Sequence, residues 1–345
     1  MASDVIDGWL PAALARIPEA RVAVFGDFCL DAYWDVDPGE RELSVETGLP
    51  LRRVRSQSYS LGGAANVAAN LCALGVAEVR VIGLVGDDVF GPLLRRMLAE
   101  AGADVSGLLN CQADWQTMVF GKPHVGGVEQ NRIDFGGFNV PAPEAVDALA
   151  QALDAAVGRC TAVILNQQVP GGTSPMPVLD RLNRVVAAHP DCPFIVDSRD
   201  RADLYQGCSL KVNAHEAARL CGVARSLGVS VPRGEALGYG RELHARTGRP
   251  AFVTCGADGI CVADGQGVEH VPGVPVGSPL DPVGAGDAVV AALGAAVGSG
   301  SDPRTAARVA NLAATVTVRK LHTTGTASPE EILELAAESG AAKGR

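Results

Sequence analysis

The stretch LDPVGAGDAVV, residues 280–290, places two aspartates and a glycine-rich turn directly before a long run of small apolar residues. Gly284 and Gly286 allow a tight turn whose backbone amides point toward one spot. The helix that follows adds the positive end of its dipole at the same place. The pattern therefore predicts an anion site, suited to a phosphoryl group that gains charge as it is transferred.

Asp287 falls in the first turn of this predicted helix, beside the anion site. A carboxylate in this position can accept the proton of an attacking hydroxyl group. The alternative is a glycine-rich loop in which Asp287 is only a capping residue. A second aspartate, Asp281, on the other side of the small residues favours the catalytic interpretation.

Outward from this loop, short β-branched runs alternate with helical patterns along the chain. The predicted strands cover residues 21–27, 79–88, 161–166, 193–198, 210–213 and 251–256. The predicted helices cover residues 64–74, 89–101, 143–157, 174–188, 214–221, 235–247, 285–298 and 302–320. This alternation predicts an α/β fold, with a mostly parallel central sheet and helices on both faces. With 345 residues and no break in the pattern, we expect a single domain.

Two polar, glycine-bearing segments interrupt the alternation, at residues 34–60 and 111–135. Unstructured connections of this length are uncommon in compact domains unless they have a function. We predict extra strands outside the main sheet, forming a flap over one end of it. The alternative is a pair of long surface loops.

Composition and charge exclude several classes of protein. The formal net charge of −10 argues against binding nucleic acid or an anionic membrane. The nine cysteines contain no C-x-x-C pair, which is typical of reduced thiols in a cytosolic protein. We find no signal-peptide pattern and no apolar run of about 18 residues that could span a membrane. We therefore expect a cytoplasmic protein that binds small molecules.

Polar residues follow the first predicted strand in GDFCLD, residues 26–31. Ligands of open parallel sheets bind beyond the carboxyl ends of the strands, so Asp27 and Asp31 are candidates for substrate contact. The alternative is a capped turn. In LGGAANVAANLCALG, residues 61–75, Asn66 and Asn70 share one face of a predicted apolar helix. Their buried amides need partners, either hydroxyl groups of a ligand or neighbouring backbone.

NAHE, residues 213–216, follows another predicted strand. Asn213 and Glu216 could hold a hydrated magnesium ion through its waters. An N-cap with a capping-box glutamate fits the spacing equally well. The chain lacks the P-loop pattern, and Val289 stands where a dinucleotide motif needs its third glycine. Neither of these phosphate-binding motifs therefore explains the anion site.

Together these motifs resemble those of the ribokinase-like (PfkB) family of sugar kinases, from about Arg21 to Ile332. DPVGAGDAV is similar to the family's C-terminal signature, and LGGAANVAANLCALG with VIGLVGDDVFG to its N-terminal signature. Within the family, GDFCLDAYW, QNRIDF and HTTGTASPEEI look most like the heptose 7-phosphate kinase domain of the bifunctional heptose kinase/adenylyltransferase. We expect only the kinase half here, because no nucleotidyltransferase-like segment follows.

The resemblance implies an ATP-dependent kinase in which Asp287 deprotonates the sugar hydroxyl that attacks the γ-phosphate. It implies these roles for other residues: Gly284, Ala285 and Gly286 as the anion hole; Asp31, Gly62, Gly63 and Asn66 for the sugar; Asn213 and Glu216 for magnesium and phosphate; Thr254, Gly256, Asp281 and Asn311 for the nucleotide. Residues 35–60 and 111–137 would form a β-lid that pairs two subunits in a homodimer. The resemblance leaves a monovalent-cation requirement open.

One stretch departs from the pattern of the heptose kinases. Those enzymes carry an Asp-Tyr-x-Lys-Gly-like segment after a middle strand, whereas this chain has NQQVPGG at residues 166–172. This departure leaves open whether the substrate is a heptose phosphate. Arg132 is a candidate for binding a substrate phosphate, or it pairs only with Asp134.

Two other functions stay open at the level of sequence. The lost Asp and Lys near residues 167–169 are compatible with a catalytically silent regulator that binds a sugar or nucleotide on the same fold. A kinase of nucleosides or other small alcohols would use the same scaffold. The presence of Asp287 favours catalysis, because a binding protein has no need of a general base.

Overall fold

The computed structural model describes residues 6–342, apart from residues 40–41, 112–113, 171, 227 and 322–323. Its strands are β1 (Arg21–Gly26), β2 (Phe28–Val36), β3 (Val54–Gly63), β4 (Glu78–Val85), β5 (Asp104–Asn110), β6 (Met118–Val125), β7 (Val128–Glu129), β8 (Ile133–Phe135), β9 (Ala162–Gln167), β10 (Phe194–Ser198), β11 (Ser209–Asn213), β12 (Ala251–Thr254), β13 (Gly259–Asp264) and β14 (Gly267–Pro272). Its helices are α1 (Ile6–Arg16), α2 (Ala64–Ala73), α3 (Phe90–Glu100), α4 (Pro143–Val157), α5 (Met176–Ala188), α6 (Ala214–Leu220), α7 (Arg233–Thr247), α8 (Ala285–Gly298), α9 (Pro303–Val318) and α10 (Pro329–Ala342).

Nine strands form a large sheet in the order β14-β13-β12-β11-β10-β9-β1-β4-β5. All neighbours from β12 to β5 pair in parallel, whereas the two pairs β12–β13 and β13–β14 are antiparallel. Helices cover both faces, so neighbouring strand residues such as Val24 and Phe25 belong to two different apolar clusters. The predicted α/β fold with a mostly parallel sheet is confirmed.

A row of polar side chains crosses three neighbouring strands of the large sheet near their carboxyl ends. Asn166 of β9 is aligned with Asp197 of β10, and Asp197 with Lys211 of β11. Residues in register on adjacent strands project to the same face of a sheet. The register therefore brings a carboxylate and an ammonium group together from segments that lie far apart in the sequence.

A small sheet in the order β3-β2-β6-β7, with β8 paired to β6, lies beside the large sheet. The predicted strands outside the main sheet are therefore confirmed, but the boundaries differ. β2 begins at Phe28, earlier than the predicted segment at residue 34. Only Asp27 separates it from β1 of the large sheet. The first half of β2 is buried throughout, which hides the alternation that would have marked it as a strand.

Several elements were not predicted. The strands β13 and β14 form a hairpin with no helix between them, so they break the strand–helix rhythm. The edge strand β5 and the first helix, α1, were also missed. The predicted helices end at residue 320, so α10, which packs against α9 and α1, was missed as well. No helix in the described part of the chain is long and apolar enough to cross a membrane.

Candidate active site

Two cavities lie side by side beyond the strand ends of the large sheet, and Gly286 lines both of them. The first cavity, of about 600 Å³, lies between the large and small sheets and has a polar lining that includes Asp31, Asp197 and Asp287. The second cavity, of about 520 Å³, has a largely apolar lining that includes Val276 and Val289. A ligand in each cavity would meet the other at the start of helix α8.

The turn before α8 has the geometry of an anion site. Gly284 is the N-cap of α8 with φ of 78°, in the left-handed region that favours glycine. A Cβ atom at Gly284 would lie 2.9 Å from Nδ2 of Asn66, so a side chain has no room there. The amide of Ala285 donates to the carbonyl of Pro282 at 3.2 Å. Of the three amides predicted for the anion hole, that of Ala285 therefore already has an acceptor, so the amides of Gly284 and Gly286 are the stronger candidates.

Asp287 lies in the first turn of α8, where its carboxylate lines the first cavity. Nδ2 of Asn66 donates a hydrogen bond to Oδ2 of Asp287 at 2.9 Å. Asn70, one turn further along α2, donates to the backbone carbonyl of Asn66 at 2.9 Å and to its Oδ1 at 3.2 Å. Of the two predicted buried asparagines, Asn70 bonds to backbone and Asn66 fixes the orientation of the candidate base.

Burial raises the pKa of Asp287 to about 7. The hydrogen bond from Asn66 favours the charged form and opposes this shift, while the neighbouring carboxylate of Asp197 adds to it. The ammonium group of Lys211 lowers the pKa of Asp287. A carboxylate with a pKa near neutrality is well suited to accept a proton from a hydroxyl group.

Asp31 enters the first cavity from β2 of the small sheet. It is almost completely buried, and its carboxylate forms an ion pair with Nζ of Lys122 at 3.1 Å. Burial raises the pKa of Asp31, and Lys122 opposes that shift. A Cβ atom at Gly62 would lie 3.2 Å from Oδ1 of Asp31, and Gly63 lines the same cavity. The structure thus brings together the residues predicted for the sugar: Asp31, Gly62, Gly63 and Asn66.

Asp27 was predicted to contact the substrate, but it is not among the residues that line either of the two cavities. Its side chain is completely buried, with Oδ2 accepting from the amides of Gln168 and Val169 at 2.8 and 2.9 Å. Its Oδ1 accepts from the amide and the hydroxyl group of Thr173, both at 2.7 Å. All of this hydrogen bonding holds the segment after β9. Asp27 therefore shapes the cavity wall, which agrees with the alternative of a capped turn.

Arg132 lines the first cavity from the small sheet. Its guanidinium group forms a bidentate ion pair with Asp134, with both N–O distances at 2.7 Å. It also lies 4.5 Å above the ring centroid of Phe120. Both alternatives for Arg132 are thus compatible with the structure, because it pairs with Asp134 and also faces the cavity.

Asn213 and Glu216 line the first cavity at the start of α6. They form a capping box: the side chain of Asn213 accepts from the amide of Glu216 at 2.9 Å, and Oε2 of Glu216 accepts from the amide of Asn213 at 2.8 Å. Burial raises the pKa of Glu216. The capping-box alternative is therefore present, and it uses only one oxygen of the Glu216 carboxylate.

The residues predicted for the nucleotide lie around the second cavity, with one exception. Thr254, Gly256 and Asn311 line this cavity. Nδ2 of Asn311 donates to the carbonyls of Val271 and Pro272 at 3.1 and 3.2 Å, which ties α9 to β14. Asp281 is not among the residues that line either cavity. Its Oδ1 accepts from the amide of Val283 at 3.0 Å, so Asp281 shapes the turn that leads to the anion site.

Sequence reasoning missed the cations of the first cavity other than Arg132. These residues are Lys122, Arg199 and Lys211. Lys211 had a detectable signal, because a lysine inside an apolar strand of a buried parallel sheet needs a partner. That partner, Asp197, lies on the neighbouring strand and could not be identified without the register.

The polar cavity, the apolar cavity and the carboxylate at the helix start between them define a class of enzyme: a kinase that transfers a phosphoryl group from ATP to a carbohydrate hydroxyl. Residues 19–116 and 144–331 match the model of the pfkB family of carbohydrate kinases, and the chain belongs to that family. The resemblance inferred from the motifs is confirmed.

Curated relatives support the same family, and solved structures share the fold. D-beta-D-heptose 7-phosphate kinase of Bordetella bronchiseptica is 33% identical over 333 residues, with 94% of this chain and 97% of the relative covered. The bifunctional protein HldE of Pseudomonas aeruginosa is 30% identical over 339 residues, with 96% of this chain and 67% of the relative covered. Arabidopsis thaliana ribokinase, solved with ribose and ATP, has a TM-score of 0.70 at 17% identity, with 92% of this chain and 98% of that chain covered. The tetrameric inhibited form of Escherichia coli phosphofructokinase-2 has a TM-score of 0.72 at 18% identity, with 93% and 99% covered.

Proposed function

We propose that this kinase phosphorylates a hydroxyl group of a phosphorylated sugar of the heptose 7-phosphate kind, with magnesium-bound ATP as donor. The observation that carries the proposal is the position of Asp287, oriented by Asn66 at the junction of the two cavities. The first cavity, of about 600 Å³, is large enough for a sugar phosphate. The identity of about one third to a heptose 7-phosphate kinase over nearly the full chain supports this substrate class.

The lining of the first cavity supports a substrate with both hydroxyl groups and a phosphate. Asp31 offers a carboxylate for sugar hydroxyls next to Gly62, whose missing side chain leaves room for the ring. Arg132 and Lys122, on the small sheet, and Arg199, after β10, supply positive charge for a phosphate. Because Lys122 and Arg132 already pair with carboxylates, Arg199 gives the clearer support for a sugar phosphate over a neutral sugar.

The proposed chemistry is in-line transfer between the two cavities. Asp287 accepts the proton of the attacking hydroxyl group, and the amides of Gly284 and Gly286 stabilise the charge that develops on the transferred group. The start of helix α8 adds its dipole to these amides. The substrate oxygen then carries the phosphoryl group, and the proton remains on Asp287 until solvent removes it.

The second cavity and Glu216 are suited to bind ATP and magnesium. The apolar second cavity suits an adenine ring, and Thr254 in its lining is in register with Asn213 of the first cavity. Across the described residues, no group of three His, Cys, Asp or Glu side chains is arranged to bind a metal ion directly. A magnesium ion would therefore take most of its ligands from the phosphates and water, with the free carboxylate oxygen of Glu216 reached through water. The ion would neutralise phosphate charge.

The departure at residues 167–169 affects substrate contacts rather than the base. Gln167 is completely buried and accepts a hydrogen bond from Ser198 at 2.7 Å. Gln168 and Val169 line the first cavity, where Gln168 lies 3.5 Å from a guanidinium nitrogen of Arg199. We propose that Arg199 supplies positive charge on this side of the cavity. Asp287 and Asn66 are untouched by the change, which favours an active enzyme over a silent regulator.

We also propose how the molecule is organised around this site. The chain forms one kinase domain in which the small sheet acts as the lid over the first cavity. Apolar side chains of the small sheet and its connections are exposed, with Val45 at 97% and Val128 at 65%, which supports pairing of two copies through this sheet. The buried cysteines Cys29, Cys208 and Cys261 are free thiols, which together with the use of ATP supports a cytoplasmic location.

The test is ADP release from magnesium-bound ATP across a panel of heptose 7-phosphate, other sugar phosphates, neutral sugars and nucleosides. We expect turnover with sugar phosphates, lowered by about 10²–10⁴-fold in Asp287→Asn. Arg132→Met should raise KM for the sugar phosphate and leave KM for ATP unchanged. Arg181→Met, which breaks an exposed ion pair with Asp147 away from both cavities, is the matched control. Equal turnover of neutral sugars and their phosphates would contradict the proposed substrate class.

A further inference from the structure

Lys211 and Asp197 form a buried ion pair in the wall of the first cavity. Nζ of Lys211 lies 3.0 Å from Oδ2 of Asp197, and each side chain is only 8% exposed. Removing two charges from water is costly, and well-packed apolar residues often replace such pairs without loss of stability. The net stability of the fold is therefore a weak reason for a lysine on this central strand.

The position of Lys211 gives a stronger reason for a lysine on this strand. Its Nζ lies 3.2 Å from the point where a Cβ atom on Gly286 would stand, and Gly286 is the residue that both cavities share. On the other side, Asn213 and Glu216 follow Lys211 at the end of the same strand and the start of α6. The ammonium group therefore lies between the anion site and the residues proposed for magnesium and phosphate.

The ammonium group also has hydrogen bonds to spare. A lysine carries three N–H donors, and within the described ranges the only acceptor bonded to Nζ of Lys211 is Asp197. Asp197 fixes the ammonium group in place from the neighbouring strand. The remaining donors are available to an anion that occupies the junction of the two cavities.

We propose that Lys211 is a catalytic residue whose ammonium group contacts the phosphoryl group during its transfer, with Asp197 as its positioning residue. This proposal rests on the kinase function of the two cavities. In the transfer, a bond forms between the γ-phosphorus and the substrate oxygen, while the bond from that phosphorus to the bridging oxygen of ADP breaks. The hydroxyl proton goes to Asp287. Lys211 keeps its protons and neutralises charge on the non-bridging oxygens of the transferred group.

The experiment compares Lys211→Met, Asp197→Asn and the double variant Asp197→Asn/Lys211→Met. In Lys211→Met and in the double variant, we expect kcat to fall by about 10²–10³-fold, as for the loss of one preorganised donor. KM for ATP and for the acceptor should change by less than about threefold, because the contact is made during transfer. Lys211→Met should lower Tm by leaving Asp197 buried without its partner, and the double variant should regain that Tm.

A binding measurement distinguishes a contact that Lys211 makes during phosphoryl transfer from a contact that it makes with the bound nucleotide in the ground state. ADP with aluminium fluoride mimics the transferred phosphoryl group, whereas ADP alone does not. Lys211→Met should weaken binding of ADP–aluminium fluoride by about the same factor as it lowers kcat, and leave binding of ADP unchanged. If no sugar phosphate in the panel is turned over, the proposed substrate fails, but this measurement and slow hydrolysis of ATP still test Lys211.

Three results would overturn the proposal. A double variant with wild-type kcat would show that the ion pair is only structural. A higher KM with unchanged kcat would make Lys211 a ground-state binding residue. Unchanged binding of ADP–aluminium fluoride in Lys211→Met would show that Lys211 does not contact the transferred group.

Discussion

The substitution Asn66→Ala removes the hydrogen bond that holds Asp287 in its charged form. The bond is 2.9 Å long and is donated to a carboxylate whose pKa burial has already raised to about 7. A hydrogen bond to a charged group contributes about 1.5–3 kcal/mol, and one pKa unit corresponds to about 1.36 kcal/mol. Because this bond favours the charged form, its loss should raise the pKa of Asp287 further, by about 1–2 units.

The assay is the pH dependence of kcat/KM, which reports the pKa of the base in the free enzyme. In the wild-type enzyme, activity should rise with pH to a plateau, with a midpoint near the pKa of about 7. In Asn66→Ala the midpoint should move to about pH 8–9, so that activity at pH 7 falls about 5- to 50-fold and recovers in alkaline buffer. Asp287→Asn is the matched control, because it removes the titrating group and should flatten this limb of the profile.

An unchanged midpoint in Asn66→Ala would refute the reasoning, whatever the absolute rate. A uniform loss of activity at every pH would mean that Asn66 contacts the acceptor without controlling the base. A melting curve recorded at each pH separates both results from unfolding. Calorimetric titration adds a second check, since Asn66→Ala should weaken acceptor binding more than ATP binding if the predicted sugar contact is also present.

Three further predictions follow from the geometry. The pKa of Asp287 is higher in the folded chain than its ordinary value of 3.8, so the wild-type free energy of unfolding should fall as pH rises from 4 to about 7, by up to about 4 kcal/mol. Asp287→Asn should lack that fall, so its Tm should rise relative to the wild-type Tm over this range, and the difference should level off above about pH 8. A difference in Tm that does not change with pH would contradict the raised pKa of Asp287. Ala314→Phe fills part of the second cavity. It should weaken ADP binding at least about tenfold by calorimetry and leave acceptor affinity unchanged. Weaker binding of the acceptor with intact ADP binding would exchange the roles of the two cavities. Asp27→Asn replaces a buried acceptor of four hydrogen bonds and should lower the free energy of unfolding by about 2–4 kcal/mol in urea titration, whereas a loss of acceptor affinity at unchanged stability would restore its predicted substrate contact.

The core of the fold was predictable because its elements carry local patterns. Helix α8 was predicted at residues 285–298, which are the bounds observed, because a glycine turn and a continuous apolar run define both ends. The strands β1, β9 and β10 are short apolar runs, and β9 lies between two helices, which is the usual pattern of a parallel sheet. The hairpin of β13 and β14 was missed because antiparallel neighbours need no helix between them.

The candidate site was only partly predictable, and the limit is physical. Asp287 and Gly284 belong to one local motif, so the sequence identifies both. The ion pairs of the cavity depend on strand register: Lys122 reaches Asp31 because β6 runs parallel to β2, and Lys211 meets Asp197 across β10 and β11. No local pattern specifies which residues of distant strands become neighbours. The buried role of Asp27 was hidden for the same reason, because its partners follow a strand more than a hundred residues away.

The junction between the two sheets has a mechanical consequence. The strands β1 and β2 are separated by Asp27 alone, and the amide of Ala64, directly after β3, donates to the carbonyl of Asp27 at 3.0 Å. The two longest strands of the small sheet thus leave the large sheet at one point, and a rotation of the small sheet would turn about this point as about a hinge. At about 3.3 Å per residue, Asp31 lies about 13 Å from this hinge and Val36 about 30 Å. A rotation of about 10° would therefore move Val36 by about 5 Å and Asp31 by only about 2 Å. Such a rotation would open the outer part of the small sheet to solvent or ligand, while the carboxylate proposed to hold the acceptor would keep nearly the same place.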